Sequence, residues 1–388
     1  MTELRAYLDY NASAPLLPQA RAAMLDALDA SANPSSVHRE GRNARRIVEA
    51  ARSAIAALVN GKPDHVVFTS GATEAASTLL TPDWKMGRGA VRMSRLYVCA
   101  ADHPCLLNGG RFSADHVVRI EVDRAGLCDL RALEAALVGH DRTDGLPLVA
   151  IHLANNETGV IQPVGEIAAL VKAAGGVLVV DAVQAAGRLP LDMTDGTGDY
   201  LILSSHKIGG PLGAGAIVAA SDLMMPTPLI TGGGQERGHR GGTENLAAIA
   251  GFGAAARVAR DGLAGIDAIR KLRERIEAAV LDLAPDAQIF GNGAPRLANT
   301  TFFAISGLKA ETAQIGFDLA GVSVSAGSAC SSGRTGPSHV LKAMGLGDNE
   351  GALRVSIGPR TTAAEIDMFR LALSGMLQRM NGRATQAA

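Results

Sequence analysis

Residues 201–215 read LILSSHKIGGPLGAG, and the architecture of the whole chain turns on this stretch. Leu201 to Leu203 is an apolar run suited to a buried strand. Gly209 to Gly215 is glycine-rich, and glycine lets a backbone fold closely around a ligand. Between them, Ser204, Ser205, His206 and Lys207 put four polar side chains where a strand meets a loop. Ligands of open α/β sheets bind at the carboxyl ends of the strands. A lysine there, with hydroxyl and imidazole beside it, suits a Schiff-base amine next to a phosphate. It suits a phosphate-contacting or merely solvated lysine equally well.

Outward from this stretch the chain alternates. Apolar segments at 65–68, 96–100, 117–122, 148–153, 177–180 and 216–219 predict strands. Helical patterns occupy 19–30, 42–59, 130–137 and 166–174; in the second, Ile47, Ala51, Ala54, Ile55 and Leu58 make an apolar stripe. Apolar strands alternating with helices predict a mainly parallel sheet covered by helices on both faces. From about Gly262 a smaller α/β unit begins, with strands at 299–305, 322–325 and 353–357. The expected division is a large domain over 14–258 and a small one made of 1–13 and 259–388.

Polar residues cluster just past the strand ends: Asp102 with His103, Asn155 to Glu157, Asp181 with Gln184, and Ser204 to Lys207. Four such clusters in register with one architecture imply a single pocket. After the 65–68 strand come Gly71, Ala72, Thr73 and Glu74, a small-residue turn into a helix. Free N–H groups and the helix dipole make such a turn an anion site, or Thr73 simply caps the helix. Asp181 has two uses as well. It can cap the turn after its strand, or its carboxylate can hold a protonated ring nitrogen. A lysine and an aspartate at separate strand ends are the pairing expected for pyridoxal phosphate, PLP.

Composition narrows the function classes. The 388-residue chain has a net charge of −1 and no apolar run near the ~18 residues of a membrane span. Neither nucleic acid nor membrane is an expected partner, and aromatic residues, at 3%, are too scarce for base stacking. No secretory h-region follows Met1, and Cys99, Cys105, Cys128 and Cys330 show neither metal-ligand spacing nor a disulfide framework. A cytoplasmic setting without a bound metal is expected. Cys330 stands out because Ser328, Ser331, Ser332 and several glycines surround it, with nothing apolar to bury it. That is the profile of a reactive thiol, whereas Cys99 and Cys128 fit inert core positions. The long loop at 232–243, with Arg237, His239, Arg240 and Thr243, reads as a functional loop.

Taken in order, these segments resemble the cysteine desulfurases of the NifS/IscS type, in the class V aminotransferase group of fold-type I PLP enzymes. The resemblance runs from Tyr7 to Gly358, through Gly71–Glu74, Asn156–Gly159, Asp181–Gln184, Ser204–Lys207, Gly232–Glu236 and Ser328–Ser332. It implies that Lys207 carries PLP, His103 stacks on its ring, and Asp181 pairs with the ring nitrogen. Gln184 and Asn156 would contact the ring-oxygen side, and Ala72, Thr73, Ser204 and His206 would surround the phosphate. Thr243 would reach the phosphate of a neighbouring subunit in a homodimer. Arg354, with Asn156, would hold the substrate carboxylate. Cys330 would take sulfur from L-cysteine as a persulfide, leaving L-alanine, for delivery to an acceptor protein in iron–sulfur assembly or another sulfur pathway. His103 is the candidate base for that thiol, and Cys105 is expected to be a bystander.

The chain departs from the family at flanking positions: Asp102 before His103, Ala12 to Pro15, and Arg240 to Thr243. A selenocysteine lyase, or another class V enzyme, would use the same cofactor residues. A scaffold that kept the fold without catalysis is the rival from another class.

Overall fold

The computed structural model describes residues 5–30, 32–326, 338–347 and 351–387; Cys330 lies outside the described residues. Nine strands among these form the central sheet. Its middle, Gly89–Cys99, Leu146–His152, Val177–Asp181 and Tyr200–Ser204, is parallel throughout. Val117–Ile120 also pairs in parallel with Gly89–Cys99. Both ends turn antiparallel: Gly215–Ala219 links Tyr200–Ser204 to Val66–Thr69, and at the other edge stand Asp83–Met86 and Met224–Pro226.

Every second residue of the buried strands serves a different core, as the pleat requires. Val149, Ile151, Leu178, Val180, Leu201 and Leu203 pack in one cluster with Ile55, Leu133, Ile167 and Phe252 from four helices. Leu148, Ala150, Val177, Val179 and Ile202 face the opposite cluster, with Ala76, Leu79 and Leu106. Helices therefore cover both faces. On the first face, helix Leu246–Asp261 lies so close to Arg39–Leu58 that a Cβ on Gly253 would stand 2.6 Å from Ala51 Cα. Only glycine permits that approach.

A second, antiparallel sheet comprises Gln288–Ile289, Thr300–Ala304, Leu353–Ser356 and Ser325–Ala326. Its core joins Phe303, Phe317, Val355 and Phe369 to Leu8 near the N-terminus. Ala6–Tyr7 pairs in parallel with Val322–Ser323, so the start of the chain is built into this later unit. No helix among the described residues is long and apolar enough to cross a membrane.

The register brings the chemistry together. His152 lies opposite Asp181, and Asp181 opposite Ile202. Ser204 and Thr69 flank Gly215 from its two sides. Val66–Thr69 is antiparallel to a strand that is itself antiparallel to Tyr200–Ser204, so it runs with the parallel strands. The carboxyl ends of Val66–Thr69, Gly89–Cys99, Leu146–His152, Val177–Asp181 and Tyr200–Ser204 consequently open on one edge.

Candidate active site

That edge holds a cavity of about 570 Å³. Ala72, Thr73, His103, Asn156, Asp181, Gln184, Ser204, His206 and Lys207, all expected from the sequence, line it together. At its floor, Lys207 Nζ donates to Asn11 O at 2.7 Å and Ala12 O at 2.9 Å. The amine is thus held by two carbonyls of the N-terminal segment, with no fixed negative charge in those contacts.

Asp181 ends its strand almost completely buried. Oδ1 accepts Val183 N–H at 2.9 Å, so the capping use is real. Among the described residues, the hydrogen-bond contact of Oδ2 is the Cys105 thiol, at 4.0 Å. Burial pushes this carboxyl up to about 6, against the Val183 N–H and the nearby His152 and Lys207, which favour the anion. A carboxylate so placed gains most from a cationic N–H brought to its second oxygen.

His103 caps the short helix after it, its Nδ1 accepting Cys105 N–H at 3.2 Å. The ring proton therefore sits on Nε2. Burial, and then the charge of Lys207, lower His103 to about 4, so the imidazole is neutral at pH 7. His206 is lowered to about 4 for the same two reasons, and its Nδ1 lies 3.3 Å from Ser13 Oγ.

The end expected to take an anion is the start of helix Ala72–Leu79. Gly71, not Thr73, is the N-cap, and Glu74 Oε2 accepts Ser70 N–H at 2.8 Å. A Cβ on Gly215 would stand 2.6 Å from Gly71 C, so this strand can pass behind the turn only as glycine. Arg240 Nε meets Glu74 Oε1 at 3.0 Å, which offsets a carboxylate standing where an anion would bind.

The sequence pattern of the family described as aminotransferase class-V matches residues 6–369. A cysteine desulfurase of Cereibacter sphaeroides is 40% identical over 375 residues, 94% of this chain and 93% of that one. An IscS-like cysteine desulfurase of Mycobacterium tuberculosis is 35% identical over 392 residues, covering 99% of each. The solved NifS-like protein from Rickettsia africae superimposes with a TM-score of 0.86 at 32% identity, over 97% of this chain and 100% of that one. This chain belongs to the class-V aminotransferases, in their cysteine desulfurase branch.

Two expected residues of this class-V enzyme stand apart from the cavity. Thr243 is exposed and is not part of the lining. Its loop is pinned instead by Glu236, whose carboxylate accepts from Arg52 and from Phe68 N–H, and by Arg240. Arg354 is buried just behind the wall. Its Nη2 donates to Asp9 Oδ1 at 2.8 Å and its Nη1 to Asn156 O at 2.9 Å. Asp9 does line the cavity.

Asp9, His152 and Gln314, to which the sequence reading assigns no role, also line the cavity. His152 is set by Asp102, whose Oδ1 accepts its backbone N–H at 2.8 Å and its Nδ1–H at 2.5 Å. The signal for His152 was available, since it ends the strand just before the Asn155–Glu157 cluster. Cys105 is in the wall too, its thiol pushed well up by burial and by Asp181 and Asp102. Cys99 and Cys128 are buried as expected.

Proposed function

We propose that this chain is a PLP-dependent cysteine desulfurase: L-cysteine and the Cys330 thiol give L-alanine and a Cys330 persulfide. One observation carries the site assignment. Lys207, the half-satisfied Asp181, neutral His103 and the helix start at Ala72 and Thr73 converge on one cavity. This donor set fits PLP. The buried Asp181 calls for a cationic N–H, the free N–H groups of the helix start call for a phosphate, and a neutral imidazole can lie against an aromatic ring. When bound, the cofactor supplies an electron sink that loosens bonds at the substrate α-carbon.

The residues would then divide the work. Lys207 holds the cofactor and, once released by the substrate amine, carries the α-proton. Asp181 keeps the ring nitrogen protonated, while Gln184 and Asn156 serve the ring-oxygen side. Ala72, Thr73, Ser204 and His206 hold the phosphate, and Thr243 completes that site in a partner subunit of a homodimer. Arg354 binds the substrate carboxylate in place of Asp9, a task suited to its planar fork. Cys330 takes the sulfur, with His103 as the base for its thiol. The division into a cofactor domain over 14–258 and a smaller domain of 1–13 and 259–388 belongs to this proposal, as does delivery of the sulfur to an acceptor protein, in iron–sulfur assembly or another sulfur pathway.

Purified protein supplied with PLP and L-cysteine should release equimolar alanine and, with a thiol reductant, sulfide. Turnover confined to selenocysteine would overturn the choice of substrate. A protein that stays colourless in PLP and releases no alanine would overturn the enzyme assignment.

A further inference from the structure

Arg188 is buried just past Gln184, and no carboxylate among the described residues is paired with it. Its partners are three neutral oxygens: Gln184 O at 3.1 Å, Gln184 Oε1, and Tyr10 O at 3.4 Å. Burial and the neighbouring Arg354 lower it to about 9, which still leaves a cation at neutral pH. A buried charge facing only neutral groups is costly unless an opposite charge stands close by.

The same contacts settle which way the Gln184 amide faces. Arginine has donors only, so the atom against Nη1 must be the carbonyl oxygen. Asn11 O is an acceptor, so the atom against it, at 3.0 Å, must be the amide nitrogen. Two independent partners therefore impose one orientation, and the amide is left with a single uncommitted N–H. Gln184 lines the cavity.

We infer that Arg188 is a positioning residue: it locks Gln184 as an N–H donor toward the cavity and polarises that donor for an anionic oxygen on the cofactor ring. The inference rests on the proposed binding of PLP, whose phenolic oxygen is such an anion. Arg188 then acts through the amide, and the ring oxygen supplies the charge that the buried guanidinium otherwise lacks. Other charged or titratable groups face the same cavity, namely Lys207, Asp181, His103, His206, His152, Cys105, Asp9 and Glu74. Arg354 approaches from the second sheet. A test must therefore compare charge-neutral with charge-keeping changes at Arg188 alone.

The readout is the pH midpoint of the visible absorbance of PLP attached to Lys207. Without a positive charge behind Gln184, the ring oxygen becomes more basic and retains the shared proton to higher pH. Arg188→Met should raise the midpoint by about one pH unit. Arg188→Gln, neutral but still able to donate to Gln184 Oε1, should do the same. Arg188→Lys should move it less than half as far. Neutral variants with full cofactor content and an unmoved midpoint would overturn the inference. A readout on the unaltered chain covers the case in which neither neutral variant folds. With ¹⁵N-glutamine labelling, one Gln184 side-chain amide proton should move downfield on adding PLP, and a Gln184 amide indifferent to PLP would overturn the inference. A wild-type protein with no visible band would instead overturn the cofactor assignment itself.

Discussion

Arg52 and Glu236, 184 positions apart, meet as a buried two-pronged ion pair, Nη1 to Oε2 at 2.9 Å and Nη2 to Oε1 at 2.8 Å. The same guanidinium lies 4.9 Å over the Phe68 ring and caps Val66 O at 2.7 Å. Glu236 and Arg237 both have left-handed backbone, at φ 45° and 54°, an arrangement side-chain-bearing residues resist by about 1 kcal/mol each. The pair thus fastens the glycine-rich loop carrying Thr243 to the strand beside the cavity. Glu236→Gln strands a buried cation, with the half-exposed Glu49 as its remaining charge partner. It should lower unfolding free energy by about 3 kcal/mol, the lower end for a broken buried pair, as measured in urea. An unchanged transition would mean that something else holds the loop.

Lys207→Ala should reduce alanine formation by at least about 10³-fold, because one amine both anchors the cofactor and moves the α-proton. Borohydride should then fix no PLP to the protein. Covalent PLP found by peptide mapping on another lysine would contradict the assignment.

His103 is neutral at pH 7, so its proposed uses as ring platform and base can be separated. His103→Phe keeps a flat ring and removes both nitrogens. PLP affinity should stay within about tenfold while sulfur release falls about 10²-fold. Loss of both together would assign His103 to binding alone.

How much of this was legible in the sequence differs from residue to residue. The parallel centre and most of the polar cavity residues were legible because each strand is a continuous apolar run closed by a polar cluster, a local pattern; Asp9, His152 and Gln314 were not. Nor were Asp83–Met86, Met224–Pro226 and Gln288–Ile289, since two to four residues carry too little period and form only by pairing with distant partners. Arg52 lay hidden within an amphipathic helix, and its burial depends on a loop 184 positions away. The orientation of Gln184 is set by Arg188 and by Asn11, which only the tertiary fold brings together. Cys330 is a reading from its local composition and from the resemblance at Ser328–Ser332, and it lies outside the described residues.

Cys330→Ser should separate the two halves of the proposed reaction. Proton removal is assigned to Lys207, and sulfur capture to the thiol. The variant should bind PLP and still exchange the α-proton of cysteine with heavy water, seen by proton NMR. It should make no persulfide and under about a hundredth of the alanine. Alanine at the wild-type rate would point to another nucleophile, with Cys105 in the cavity wall the first to test.

Glu157 makes the last prediction, because it is a fully buried carboxyl that the proposed chemistry does not use. It accepts a hydrogen bond from Ser338 Oγ. Burial pushes it up to about 7 from an ordinary 4.5, although Ser338 and Arg354 favour the anion. The folded protein therefore keeps a proton that the unfolded chain releases above pH 4.5. The resulting stability is fully present below that pH and is lost as pH rises through about 7. Its size is on the order of 3 kcal/mol. Asp181, raised to about 6, contributes with the same sign in the cofactor-free protein. Glu157→Gln isolates the first group, since its neutral amide accepts from Ser338 and never ionises. In urea titrations without cofactor, the variant should gain on the wild type by about 2–3 kcal/mol between pH 5 and pH 8. Parallel stability curves over that interval would show that Glu157 ionises in the folded protein as readily as in the unfolded chain.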